Sequence, residues 1–185
     1  AQIRAIHAHG HEIASHSLVH DWVPGMSPQR LRQDLRESRD VLEQCIGAPV
    51  VSFVPPFNQP FDFWHKGSIS WSERRQARRQ RIDLLEMCRA LAETGYRFAR
   101  VSYRSLPARL AGWVVKDLPQ ALEKPVNVNG VMTLRVNTSC GFSWRTQEAL
   151  SPVVESSGYV VAYGHPHSLA EAGPQSFESL TAFLE

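Results

Sequence analysis

His16 and His20 stand four residues apart in GHEIASHSLVH, residues 10–20, with His11 directly behind the glycine. Two imidazoles at that spacing reach one divalent cation when the residues between them curl into a turn. Neutral ring nitrogens suit zinc, and also cobalt or nickel. A loop cap and a half-exposed turn residue would account for the same two side chains without a metal. A hydrolytic metal site also calls for a carboxylate, and two lie near in sequence: Asp21, directly after His20, and Glu12, on the segment leading in. Glu12 alternates with Ile13 and so points to the face opposite its neighbours, which suits a structural role. A turn or a loop N-cap is the ordinary role of Asp21. His7, His9 and His11 cluster near a helix end, where a histidine caps carbonyls or meets solvent.

The elements that must position these groups follow from the hydrophobic pattern. AQIRAIHAHG spaces Ile3 and Ile6 for a helix that stops at Gly10, and HEIAS then reads as a strand. The chain therefore opens inside a helix, and residues upstream of Ala1 are expected. In MSPQRLRQDLRESRDVLEQCIG, Ser27 caps, Pro28 suits the first helical position, and Leu31, Leu35, Leu42 and Cys45 form a stripe that ends at Gly47. VVSFV is a buried strand leading into the loop PPFNQPFDFWHKGS. A second helix is predicted from Ser72 to Glu93, with Ile82, Leu85, Cys88 and Leu91 inward and Gly95 beyond its end. RFARVSY reads as a strand and residues 104–125 as a loop with a short helix. VMTLRVN is a strand, TQEALSPVVESS a helix, YVVAYG a strand, and Pro174 to Leu184 a closing helix. Strands alternating with helices of this length predict one α/β domain with parallel strands, whose ligand site lies at the strand carboxyl ends.

Those ends carry the chemistry: HSLVH, PPFN, NTSCG and GHPH. In GHPH, His165 comes first after the apolar segment and Pro166 stiffens the turn, so His165 is preferred to His167 as a proton donor. Bulk properties narrow the partners. A formal charge of +2 across 185 residues is too mild for a nucleic-acid or anionic-membrane protein. The arginines of ERRQARRQR, Arg74 to Arg81, are read as a solvated helix face, and no nucleic-acid partner is expected. No apolar run nears the ~20 residues of a membrane span. Cys45, Cys88 and Cys140 are too scattered for a disulfide framework or zinc ribbon.

The run from GHEIASHSLVH through an amphipathic helix to a short strand and PPF resembles the polysaccharide deacetylase family, carbohydrate esterase family four, over residues 10–57. YGHPH resembles a later motif of the same family. The resemblance implies a distorted parallel (β/α) barrel and metal-dependent removal of acyl groups, usually acetyl, from an amino-sugar polymer, with metal-bound water as nucleophile. By position, His16 and His20 become metal ligands and the N–H of Phe57 an oxyanion donor, with Pro56, Asn58 and Trp64 beside the substrate. His165 becomes the general acid. Zinc is the expected metal.

The chain departs from that pattern in three places. No Asp-Asp pair, the family's base and third ligand, occurs in it, so the barrel is expected to be incomplete at its N-terminus. Val54 stands where the family carries arginine, and Arg135, at the end of VMTLRV, is either a replacement for it or a strand-end charge. The family's aspartate-tryptophan pair has no clear counterpart, although Trp113 and Trp144 are present. A carbohydrate-binding protein that has lost catalysis, or an amidase acting on a small non-sugar amide, therefore stays open beside the deacetylase reading. The aromatic loop from Phe57 to Trp71 is a substrate wall, a clasp or a homodimer contact. The compartment, cytoplasm or cell envelope, is left open.

Overall fold

The computed structural model describes residues 2–57, 81–101, 125–135, 153 and 159–184. Asn58, Asp62, Trp64, His65, Trp113, Cys140 and Trp144 lie outside them, as do the arginines from Arg74 to Arg79. The chain divides into two compact units, one comprising Ala1–Arg104 with Pro125–Leu134 and the other Ser105–Lys124 with Arg135–Glu185.

The first unit is built around one long helix. Helix α1, Gln2–Ala8, is exposed except at half-buried His7, and its Arg4 Nε donates to the Cys45 carbonyl at 2.7 Å. That carbonyl belongs to the last turn of α2, Pro28–Ile46, where a cation also meets the negative end of the helix dipole. Ser27 caps α2 by accepting the Arg30 N–H, Pro28 opens it, and Gly47, at φ 70°, closes it in the left-handed conformation that glycine adopts without cost. Leu31 and Leu35 are fully buried, while Leu42 and Cys45 are only half-buried.

Helix α3 runs from Leu84 to Glu93, and residues 72–80 of the helix predicted over Ser72–Glu93 lie outside the described residues. Residues 81–83 are not helical: the N–H groups of Arg81 and Ile82 both donate to the Pro24 carbonyl, in the 3-10 turn Val23–Gly25. Asp83 then caps α3 by accepting the Glu86 N–H at 2.7 Å, so a local cap overrides the longer periodic pattern. The inward face is Leu84, Met87, Cys88 and Leu91, and Leu85, predicted to be inward, is 53% exposed. One residue is 100° of helix rotation, so starting the buried stripe at Leu84 turns Leu85 outward.

A four-stranded sheet packs with these helices in the order β1, β2, β4, β3, where β1 is Ser52–Phe53, β2 Phe98–Val101, β3 Val126–Val128 and β4 Val131–Arg135. Strands β1 and β2 are parallel, with Phe53 opposite Ala99. Strands β3 and β4 are antiparallel, which corrects the expectation of parallel strands throughout. Their turn is Asn129-Gly130, both at positive φ, the backbone twist that joins two strands most tightly. The sheet is thus mixed, and a complete barrel is not formed by the described residues. Below it, Phe53, Ile82, Met87, Leu91, Tyr96 and Val131 make one buried cluster. Among the described residues no helix is long and apolar enough to cross a membrane.

In the second unit, α4, Pro166–Glu171, and α5, Pro174–Leu184, form a helix pair around Gly173, with the Ser176 hydroxyl donating to the Gly173 carbonyl at 2.7 Å. The closing helix falls where the sequence placed it. YVVAYG, expected as a strand, makes only a single bridge at Tyr163 among the described residues.

Candidate functional site

Residues 12–15 run beside β1 without forming a full strand. The Ser15 N–H donates to the Ser52 carbonyl at 2.9 Å, and the Val54 N–H donates back to the Ser15 carbonyl at 2.8 Å. This parallel bridge makes both segments leave the sheet at the same end, one as HSLVH and the other as Val54-Pro55-Pro56-Phe57. Glu12 sits away from that end, accepting a hydrogen bond from the Ser52 hydroxyl at 2.5 Å, a structural role that its alternation with Ile13 foretold.

The two segments meet at His16. Its Nδ1 lies 2.7 Å from the Val54 carbonyl oxygen. A carbonyl can only accept, so Nδ1 carries a proton, and in the neutral ring Nε2 then keeps the lone pair, the tautomer that presents Nε2 to a cation. The contact uses the main chain of residue 54, so valine serves as well as any other residue in making it. The His20 ring meets the His16 ring edge-on, with centroids 5.0 Å apart, and lies 4.9 Å from the ring of Phe57. His16, His20 and Phe57 are all exposed, and Pro56, next to Phe57 in the chain, is buried.

The backbone here is unusual. Ser17, His20 and Phe57 are non-glycine residues at φ 71°, 57° and 60°, and the only other one among the described residues is Asn129 in its turn. Each such residue costs on the order of 1–3 kcal/mol and persists only where its surroundings impose it. One imposing group is Asp34 of α2, 1% exposed, whose Oδ1 accepts the Ser17 hydroxyl at 3.1 Å and the Leu18 N–H at 3.2 Å. Next to it, the Ser15 hydroxyl donates to Ser38 at 2.9 Å, and the Tyr96 hydroxyl donates to the Leu35 carbonyl at 3.0 Å. Burial pushes the Tyr96 phenol up, against the opposing pull of its bonds to Ser15 and Ser38. The sequence reading missed Asp34. Its signal was a carboxylate three residues after Leu31 and next to Leu35, on the apolar stripe of an otherwise amphipathic helix.

The fold therefore brings His16, His20, Pro56 and Phe57 together. Asp21 is exposed in the same loop, and among the described residues no three histidine, cysteine, aspartate or glutamate side chains converge. His165 and His167 belong to the second unit, where both are exposed and their rings stack 5.2 Å apart. Pro166 opens α4, and the His165 carbonyl accepts the Leu169 N–H at 3.2 Å. Arg135 is the last residue of β4. His9 Nδ1 lies 2.7 Å from the Ala5 carbonyl, the helix-end role expected of that cluster.

Comparison with known proteins gives two findings. The sequence model of the polysaccharide deacetylase family matches residues 1–62, the part that contains the histidine pair and the PPF loop. A crystal structure of a Mycobacterium smegmatis protein assigned as a polysaccharide deacetylase superposes with a TM-score of 0.59 at 17% identity, covering 98% of this chain and 58% of that one. At that identity the likeness is one of fold. The chain spans 58% of that structure's length. No curated protein matches the sequence.

Proposed function

We propose, from the match of residues 1–62 to the polysaccharide deacetylase family model, that the chain is a hydrolase domain of that kind acting on the acylated nitrogen of an amino sugar, with His16 and His20 as two ligands of a divalent cation. The observation that carries this reading is the His16 Nδ1 contact with the Val54 carbonyl, which leaves Nε2 as the available donor beside the His20 ring. Two neutral imidazoles, one held in a single tautomer by a main-chain carbonyl, form a donor set suited to zinc, and also to cobalt or nickel. His16 and His20 would hold the cation, which would supply Lewis-acid polarisation of an acyl carbonyl and a water of lowered pKa. The exposed Phe57 ring, packed on His20, forms an apolar edge against which a substrate lies, and the Phe57 N–H is the proposed oxyanion donor. Asn58 and Trp64 continue that loop as proposed substrate contacts. His165, in preference to His167, is the proposed acid for the leaving amine.

The second reading, a deacetylase-like carbohydrate-binding protein without turnover, is favoured by the valine at position 54. Acetate release from N-acetylated chito-oligosaccharides, measured with and without added zinc, separates the two. The hydrolase reading expects zinc-dependent release that is lost in His16→Ala. Oligosaccharide binding with no release at any metal loading would replace it with the second reading. Release from a small aryl acetamide alone would move the substrate class from sugars to simple amides.

A further inference from the structure

We propose that Asp34 is a positioning residue for the histidine pair, holding the loop in the one conformation that lets both rings face each other. The proposal rests on the reading of His16 and His20 as ligands. The loop is clamped from two sides. On one side the Val54 carbonyl takes His16 Nδ1, and on the other the Asp34 carboxylate takes the Ser17 hydroxyl and the Leu18 N–H. These residues lie one and two positions after His16, and Leu18 lies two before His20. The carboxylate thus holds the stretch that sets the distance between the rings.

The anchor is rigid. Asp34 lies between Leu31 and Leu35, both with no exposed surface, on a helix closed at both ends by Ser27 and Gly47. A bond from a charged acceptor is about twice as strong as a neutral one. Such bonds can offset the cost of placing Ser17 at φ 71°. Without them, Ser17 has no reason to remain left-handed. Relaxing that residue rotates the chain between the two histidines, while Val54 still holds only the first.

The test uses the full chain, isotopically labelled and metal-free, with ring contacts read by NMR and zinc affinity by calorimetry. Wild type is expected to show a through-space contact between the His16 and His20 rings and the Nδ1-protonated tautomer of His16. Asp34→Ala is expected to lose the ring contact while the Phe53–Tyr96 core contact persists, and to bind zinc about 10- to 100-fold more weakly. Asp34→Asn keeps an acceptor oxygen and should retain the ring contact, which separates an orienting role from a stabilising one. If wild type shows the ring contact but binds no zinc, the ligand reading fails while the ring contact still decides the role of Asp34. If Asp34→Ala retains both the ring contact and zinc affinity within about threefold, less than the tenfold minimum expected for a supporting residue, the proposal is overturned. Should Asp34→Ala not fold, Ser17→Ala removes one of the two bonds from the half-buried loop side. It is expected to weaken the ring contact, and an unchanged contact would equally overturn the proposal.

Discussion

Zinc should stabilise the folded chain, and the two histidines should differ in what they do without it. A ligand that binds only the folded state, at 100 times its dissociation constant, adds about 2.7 kcal/mol. For a chain of this length each kcal/mol moves the melting temperature by roughly 2–4 °C, so saturating zinc should raise it by about 5–11 °C. His16→Ala removes a proposed ligand and also the 2.7 Å bond to the Val54 carbonyl. A net hydrogen bond is worth about 0.5–1.5 kcal/mol, so the metal-free protein should melt roughly 1–6 °C lower. His20→Ala loses only the ring contacts with His16 and Phe57, about 5 Å between centroids, and its metal-free melting point should move less than that of His16→Ala. The assay is differential scanning fluorimetry across a zinc titration, with the His16→Ala/His20→Ala double variant as control for the other histidines. Both single variants should lose most of the zinc increment. A double variant that keeps the full increment would show that zinc binds elsewhere and would refute the assignment of the pair.

Four further outcomes follow from the same packing. Burial pushes the Cys88 thiol up to about 12, so native protein at pH 8 should leave Cys88 unmodified by a thiol reagent that labels it fully in urea; full native labelling would contradict the burial. Above the ordinary thiol value of 9.0 the unfolded chain gives up a proton that the folded one keeps. Stability should therefore fall by about 1.4 kcal/mol per pH unit up to the folded value, a slope that Cys88→Ala reduces in urea melts at pH 8 and 10. At the acid end, the Val50 N–H and then the Arg39 guanidinium hold the Glu43 carboxyl below its ordinary value. Its contribution is present above that ordinary value and lost as pH falls through the folded one, so Glu43→Gln should show a shallower loss of melting temperature between pH 6 and 3. Gly95→Ala places a methyl group at φ 89° against the Arg39 guanidinium, which donates to the Thr94 carbonyl at 2.6 Å. The combined strain and displacement should cost about 1–3 kcal/mol in urea melts, and an unchanged midpoint would mean that Arg39 gives way freely.

Local signals were legible wherever one residue type decides a conformation. Ser27, Pro28 and Gly47 delimit α2 as read, and Pro174 opens the last helix. Asp83 was equally informative, because an aspartate three residues before Glu86 is a helix start, yet the longer apolar pattern outweighed it in the reading. Asn129-Gly130 between valine-rich segments is likewise a hairpin signal, and it accounts for the antiparallel pair that alternation of strands and helices could not predict.

The sequence by itself determined which side chains are available for chemistry and how far apart they lie along the chain: His16 and His20 four apart in a loop, Phe57 after a short strand, and Asp34 on a helix. Only the tertiary structure decided what those side chains can do. The contact that sets the His16 tautomer joins residues 38 apart, and the one that holds Ser17 joins residues 17 apart. Both depend on the parallel bridge between Ser15 and Phe53 and on the packing of α2. Local preferences act over one turn or a few residues, whereas hydrogen bonds between distant segments form only after the chain has collapsed, so spacing along the sequence could nominate the pair but could not orient it.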